Sequence, residues 1–191
     1  MKYLRRLYES FDKAEIDNIC EKYDIEDYTI NPDGSIDVDG SVYLYEESLI
    51  KLPLQFNIVR GWFDCSENLL TSLKGSPKEV NGYFDCEENK LTSFEYIPKR
   101  IGGDFNCCWN DIRNFEYFPN YIGGDFDCFN NPIDEIWILF EDSTKIELLN
   151  DFDIFRDEDT DTPSIVMDRL NDFLLTIGRD PVEKVDRYKN I

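Results

Sequence analysis

Four cysteines at a constant step, Cys65, Cys86, Cys107 and Cys128, are the first residues in this chain that invite chemistry. Thiols ligate metals or exchange electrons, but both uses need sulfurs brought together in pairs. A step of 21 residues supplies no CxxC pair, and Cys107 and Cys108 fall on opposite sides of any strand. The ladder reads instead as a column of small buried hydrophobes, and so many free thiols point to a reducing compartment. The chain has no histidine, which excludes His-dependent nucleophilic triads, imidazole proton shuttles and His-ligated metals. The acidic segment 33–40 has its glycine in the wrong place for an EF-hand and lacks a closing glutamate. Segment 151–161 holds carboxylates in no fixed register, so both read as solvated loops. With 41 acidic residues, two carboxylates meet by accident, and a glycosidase-like pair carries no signal. No nucleophile elbow, phosphate-cradling glycine loop or cofactor fingerprint is present. The expectation is a protein that is not an enzyme and takes no cofactor or metal.

The elements that position these cysteines follow from the same period. Asn68, Asn89, Asn110 and Asn131 keep the step of 21, as do Phe63, Phe84, Phe105 and Phe126, and Gly61, Gly82, Gly103 and Gly124. Pro77, Pro98 and Pro119 follow it, with Val80, Ile101 and Ile122. The unit reads Gly-x-Phe-x-Cys-x-x-Asn-x-Leu-x-x-Leu, then a Pro-x-x-Val spacer. The pairs Gly102-Gly103 and Gly123-Gly124 recur with the array and belong to its turns. A weaker copy upstream has Val42 and Leu44 in the Phe and Cys places, and the last copy breaks off after Asn131. Alternation places Phe and Cys on one side of a short strand. Parallel strands of successive copies then stack, and Asn satisfies backbone groups in the turn. One copy cannot bury its own apolar face, so the array is stable only as a whole.

These residues resemble the leucine-rich repeats. The family pattern L-x-L-x-x-N-x-L-x-x-L appears as Phe84-x-Cys86-x-x-Asn89-x-Leu91-x-x-Phe94 and as Phe105-x-Cys107-x-x-Asn110-x-Ile112-x-x-Phe115. The short period looks like the compact bacterial subclass. Leu70-Thr71-Ser72-Leu73 and Gly102-Gly103-Asp104-Phe105 look like repeat proteins of tailed phages. The resemblance covers about residues 40–137 and implies an α/β repeat solenoid, a leucine-rich-repeat-like parallel β stack with helical N- and C-terminal caps. It says little about activity, because repeat scaffolds serve many functions.

The flanks read as caps in three units: 1–39, the solenoid 40–137, and 138–191. Residues 2–23 have helical apolar spacing at Leu4, Leu7, Phe11, Ile16, Ile19 and Cys20. Residues 28–38 alternate about Asn31-Pro32-Asp33-Gly34, a hairpin signal. Helices are expected over 132–140 and 145–155, with an acidic loop at 157–161. Pro163 opens another, ending near Gly178, with Ile165, Val166, Leu170, Phe173, Leu174 and Ile177 as its stripe.

The formal charge of −21 argues against binding nucleic acid or an anionic membrane surface. It spreads evenly, at −6, −8 and −7 over the three units, like a solvated acidic surface. A composition 41% hydrophobic argues against disorder. No apolar run is long enough to span a membrane and the start lacks a secretory apolar core, which points to a cytoplasm. The outward strand positions then become the candidate site: Trp62, Asp64 and Ser66; Tyr83, Asp85 and Glu87; Asp104, Asn106 and Cys108; Asp125, Asp127 and Phe129, with Trp109 beside them. Aromatics among carboxylates suit a protein partner with a basic patch, bound on the concave sheet by a non-catalytic module. The phage resemblance implies a host or phage protein as that partner. Two alternatives stand. Residues 3–11 resemble the N-terminal helices with which tailed phages direct proteins into the capsid, which implies a virion or packaged protein. Net −21 also suits a DNA mimic that blocks a nucleic-acid-binding protein.

Overall fold

A computed structural model describes residues 12–156 and 162–191. The expected sites at 3–11 and 157–161, and the helical positions Leu4, Leu7 and Phe11, lie outside the described residues. The chain opens with α1 (Lys13–Lys22), whose start is held by a capping box. The Asp12 carboxylate accepts from the Glu15 N–H at 3.0 Å, and Glu15 accepts from the Asp12 N–H at 2.8 Å. Ile16 and Cys20 are its buried face. The expected hairpin follows, with β1 (Tyr28–Ile30) antiparallel to β2 (Ile36–Val38).

Nine strands then alternate between two sheets: β3 (Val42–Tyr43), β4 (Phe56–Val59), β5 (Phe63–Asp64), β6 (Glu79–Val80), β7 (Phe84–Asp85), β8 (Arg100–Ile101), β9 (Phe105–Asn106), β10 (Tyr121–Ile122) and β11 (Phe126–Asp127). One sheet runs β11-β9-β7-β5-β3, all parallel. Its register sets Phe63 against Phe84, Phe84 against Phe105 and Phe105 against Phe126, each partner 21 positions on. The other sheet runs β1-β2-β4-β6-β8-β10, parallel after the first pair. The expectation was a single stack with a Pro-x-x-Val spacer. That spacer is itself a strand region, because Val80 and Ile101 pair directly and bury their side chains in the same core as the phenylalanines.

Two kinds of residue make the 21-residue step close-packed. Rings of Phe63, Phe84, Phe105 and Phe126 lie 5.7, 5.7 and 5.2 Å apart between neighbours, and Phe94, Phe115 and Phe118 pack beside them. The glycines are needed for proximity, since a Cβ on Gly123 would overlap the carbonyl oxygen of Gly102. The asparagines tie neighbouring segments together. Asn110 Oδ1 accepts from the Leu91 N–H at 2.9 Å, while its Nδ2 donates to the carbonyls of Cys86 at 3.0 Å and Cys107 at 3.1 Å. Asn68, Asn89 and Asn131 repeat that arrangement. Each follows a residue in the left-handed region: Glu67 (φ 52), Glu88 (φ 48), Trp109 (φ 54) and Asn130 (φ 59). This backbone bend turns the chain out of the strand, and the asparagine amide pairs the groups it exposes.

The C-terminal part departs from a purely helical cap. α2 (Asp134–Trp137) and α3 (Ile146–Asp151), preceded by a 3-10 turn at Ser143–Lys145, lie within the expected helical spans. The expected helix over 145–155 stops at Asp151, and Phe155 enters β12 (Phe155–Arg156). Pro163 does not open a helix. It leads into β13 (Ser164–Ile165), so Ile165 is a strand residue, and α4 (Met167–Thr176) begins only after Val166. The chain ends on β14 (Lys189–Asn190), parallel to β13, while β12 is antiparallel to it. This small sheet was missed because two-residue strands are too short to show alternation. Leu170, Phe173 and Leu174 face inward as expected, and Gly178 ends the helix at φ 78. One continuous hydrophobic core runs from Ile16 to Tyr188. No helix among the described residues is long and apolar enough to cross a membrane.

Candidate functional site

The five-stranded sheet turns Phe63, Cys65, Phe84, Cys86, Phe105 and Cys107 into the core. Period-two alternation therefore sends residues 62, 64, 66 and their 21-step equivalents to the opposite face. All of the expected outward residues lie on that face, but they are not equally available. Trp62 and Phe129 are 54% and 59% exposed, and Asp104, Asp125, Asp127 and Trp109 are exposed. Asp64, Tyr83, Glu87, Asn106 and Cys108 are half-buried. Asp85 and Ser66 are corrections, because they are only 7% and 6% exposed.

The reason is a network that turns this column inward upon itself. Asp85 Oδ1 accepts from the Glu87 N–H at 2.9 Å, and its Oδ2 accepts from the Tyr83 hydroxyl at 2.9 Å. Asn106 Nδ2 donates to Asp85 Oδ2 at 3.3 Å and to Glu87 Oε2 at 2.8 Å. Asp64 plays the same local part, accepting from the N–H and hydroxyl of Ser66 at 3.0 and 2.6 Å. These carboxylates close the turn after each strand in the manner of Asx turns. Burial pushes the Asp85 carboxyl up to about 6, with Glu87 and Asp64 adding like charge against the bonds from Glu87 N–H and Tyr83. Burial first, then the Asp85 charge, raises the Tyr83 hydroxyl. Asp85 is thus a structural carboxylate rather than a free steering charge.

The aromatics form two clusters at opposite ends of the face. Trp62 and Tyr83 meet edge to face at 6.4 Å, and Trp109 meets Phe129 at 6.1 Å. Two further aromatics occupy outward positions on and just after β3, the strand beside β5: Tyr43 and Tyr45, 50% and 52% exposed. Their signal was in the sequence, since Val42 and Leu44 in the Phe and Cys places force Tyr43 and Tyr45 outward. No lysine or arginine occupies an outward position of this sheet between Ser41 and Phe129. Basic residues line the other sheet instead. Arg100 lies 3.5 Å from Glu79 and stacks over Tyr121 at 4.2 Å, and Arg60 pairs with Asp39 at 2.7 Å.

The cysteine column is buried at Cys65, Cys86, Cys107 and Cys128, and burial raises all four thiols. Cys108, on the outer face, is half-exposed and pushed up to about 11, chiefly by burial. Among the described residues, no group of three or more Cys, Asp or Glu side chains is arranged to hold a metal ion. Comparison of the chain with family models, curated proteins and solved structures gives no match.

Proposed function

We propose that this chain is a leucine-rich-repeat-like solenoid with terminal caps that acts, without catalysis, as a protein-binding module. Its partner is a protein with a basic patch, engaged on the outer face of the five-stranded sheet. One observation carries the reading: this face combines exposed Trp62, Tyr43, Tyr45, Trp109 and Phe129 with Asp64, Asp104, Asp125 and Asp127, and among the described residues none of its outward strand positions is lysine or arginine. Rigid aromatics supply contact area at small entropic cost, and single-sign charge speeds and orients encounter. A net charge of −21 supports a protein rather than a nucleic acid as the partner, because binding a phosphate backbone needs cations to neutralise it.

The test is capture of partners from the native cell with the whole chain as bait, followed by affinity measurement. Trp62→Ala and Phe129→Ala should fold normally and bind the captured protein at least about tenfold more weakly, the usual scale of an interfacial aromatic. Lys78→Glu, outside this face, should bind unchanged. Unchanged affinity in both aromatic variants would refute the assignment.

A further inference from the structure

The five-stranded sheet ends at β3, and the way β3 pairs leaves half of its backbone groups without a strand. Val42 and Leu44 donate their N–H groups to the carbonyls of Trp62 at 2.8 Å and Asp64 at 2.7 Å. Tyr43, between them, turns its N–H and C=O the other way, as alternation in a parallel ladder requires. No described strand of the sheet lies on that side. At this same end of the molecule the other sheet differs, because its strand β2 is covered by the antiparallel partner β1. An unpaired edge beside exposed apolar side chains is a template for strand addition. Exposed Tyr43 lies in it and exposed Tyr45 follows two residues on, while Trp62 is exposed just before the neighbouring strand β5.

Charge decides what such an edge accepts. Glu46 and Glu47 follow β3 directly, and Asp64 is the cross-strand partner of Tyr43. Glu67 is raised by burial and by the neighbouring carboxylates of Glu46 and Glu88, a sign that acidic groups crowd here. A second copy pairing edge to edge would set these carboxylates against their own kind, on chains that each carry −21. A cationic strand would instead relieve the repulsion. We infer that β3 accepts an extended, lysine- or arginine-bearing peptide segment of a partner protein as a sixth strand, which presupposes that the adjoining face is the binding surface proposed above.

The experiment uses the full chain and a short, end-capped, fluorescent peptide of alternating lysine and valine, followed by anisotropy at low and raised salt. Its counterpart has the same side chains but is N-methylated on alternate backbone nitrogens, which blocks strand pairing and keeps the charge. The unmodified peptide should bind, and the methylated one should bind about tenfold more weakly, the scale of losing one or two net hydrogen bonds. Tyr43→Pro removes an N–H that β5 does not use. It should keep its circular dichroism and thermal midpoint near those of the parent and lose binding by a similar factor. Val42→Ile, which keeps every backbone group, should bind as the parent does. Equal binding of both peptides would overturn strand addition while leaving the acidic face as a binding surface. Failure of both peptides, together with unchanged partner binding in Trp62→Ala, would overturn both. A dimer in sedimentation that Tyr43→Pro dissolves would overturn the peptide as occupant in favour of a second copy.

Discussion

Asn131 offers the sharpest test of how neighbouring segments are held together. It is fully buried; its Oδ1 accepts from the Ile112 N–H at 2.9 Å, and its Nδ2 donates to Cys107 and Cys128 carbonyls at 2.9 and 3.0 Å. In Asn131→Ala the two carbonyls each keep another donor, since Asn110 Nδ2 also reaches Cys107 O and the Asn131 N–H reaches Cys128 O. Only the Ile112 N–H is orphaned. One unsatisfied buried donor, at about 1–3 kcal/mol, plus two weakened acceptors, gives a loss of about 2–4 kcal/mol. Asn131→Asp has nearly the same shape but opposite demands, because an ionised carboxylate keeps the bond from Ile112 and faces two carbonyl oxygens. Its cost at neutral pH should exceed that of alanine. The buried carboxyl would have a folded pKa raised above the ordinary value of about 3.9. The folded chain then binds a proton that the unfolded chain releases. Relative to the parent, Asn131→Asp should therefore regain stability as pH falls through the folded pKa and lose it as pH rises. Urea unfolding followed by tryptophan fluorescence, with parent and variants at each pH, measures the differences directly. An alanine loss under about 1 kcal/mol, or an aspartate penalty that does not change with pH, would refute the role given to this side chain.

Three other outcomes follow from the same geometry. Phe105→Ala should cost about 3–5 kcal/mol in unfolding experiments, because its ring is fully buried between Phe84 and Phe126 and against Phe94; a loss below about 1 kcal/mol would contradict that packing. In the folded chain Cys108 should react first with a bulky thiol reagent, its rate climbing with pH toward about 11, while Cys65, Cys86 and Cys107 stay protected; equal labelling of Cys107 and Cys108 would break the register. Because burial raises Asp85 from 3.8 to about 6, ionisation costs the parent stability as pH rises across that interval. Asp85→Asn should accordingly gain on the parent between about pH 4 and just above pH 6, by at most about 1–3 kcal/mol, and a pH-independent difference between the two would remove Asp85 as the titrating group.

Much of the architecture was legible in the residues themselves. A 21-residue step in Phe, Cys, Asn and Gly is reproduced as strand register, because identical residues stacked at one spacing bury one another best. The capped N-terminal helix and the hairpin at 28–38 were equally legible, since both depend on contacts a few residues apart. The rest of the second sheet was not. Its two-residue strands β6, β8 and β10 show no alternation, and Val80 and Ile101 become strand residues only because their neighbours lie 21 positions away. The same holds for β12, β13 and β14, where Phe155 and Ile165 pair across a separation that no local pattern records. At the candidate site, alternation predicted correctly that Asp85 leaves the core side of its strand. It did not predict the burial, which arises when Tyr83, Glu87 and Asn106 close over the carboxylate. Side-chain direction is a local consequence of the strand and was written in the sequence; solvent access depends on what the next segments place above it, and only the tertiary structure decides that.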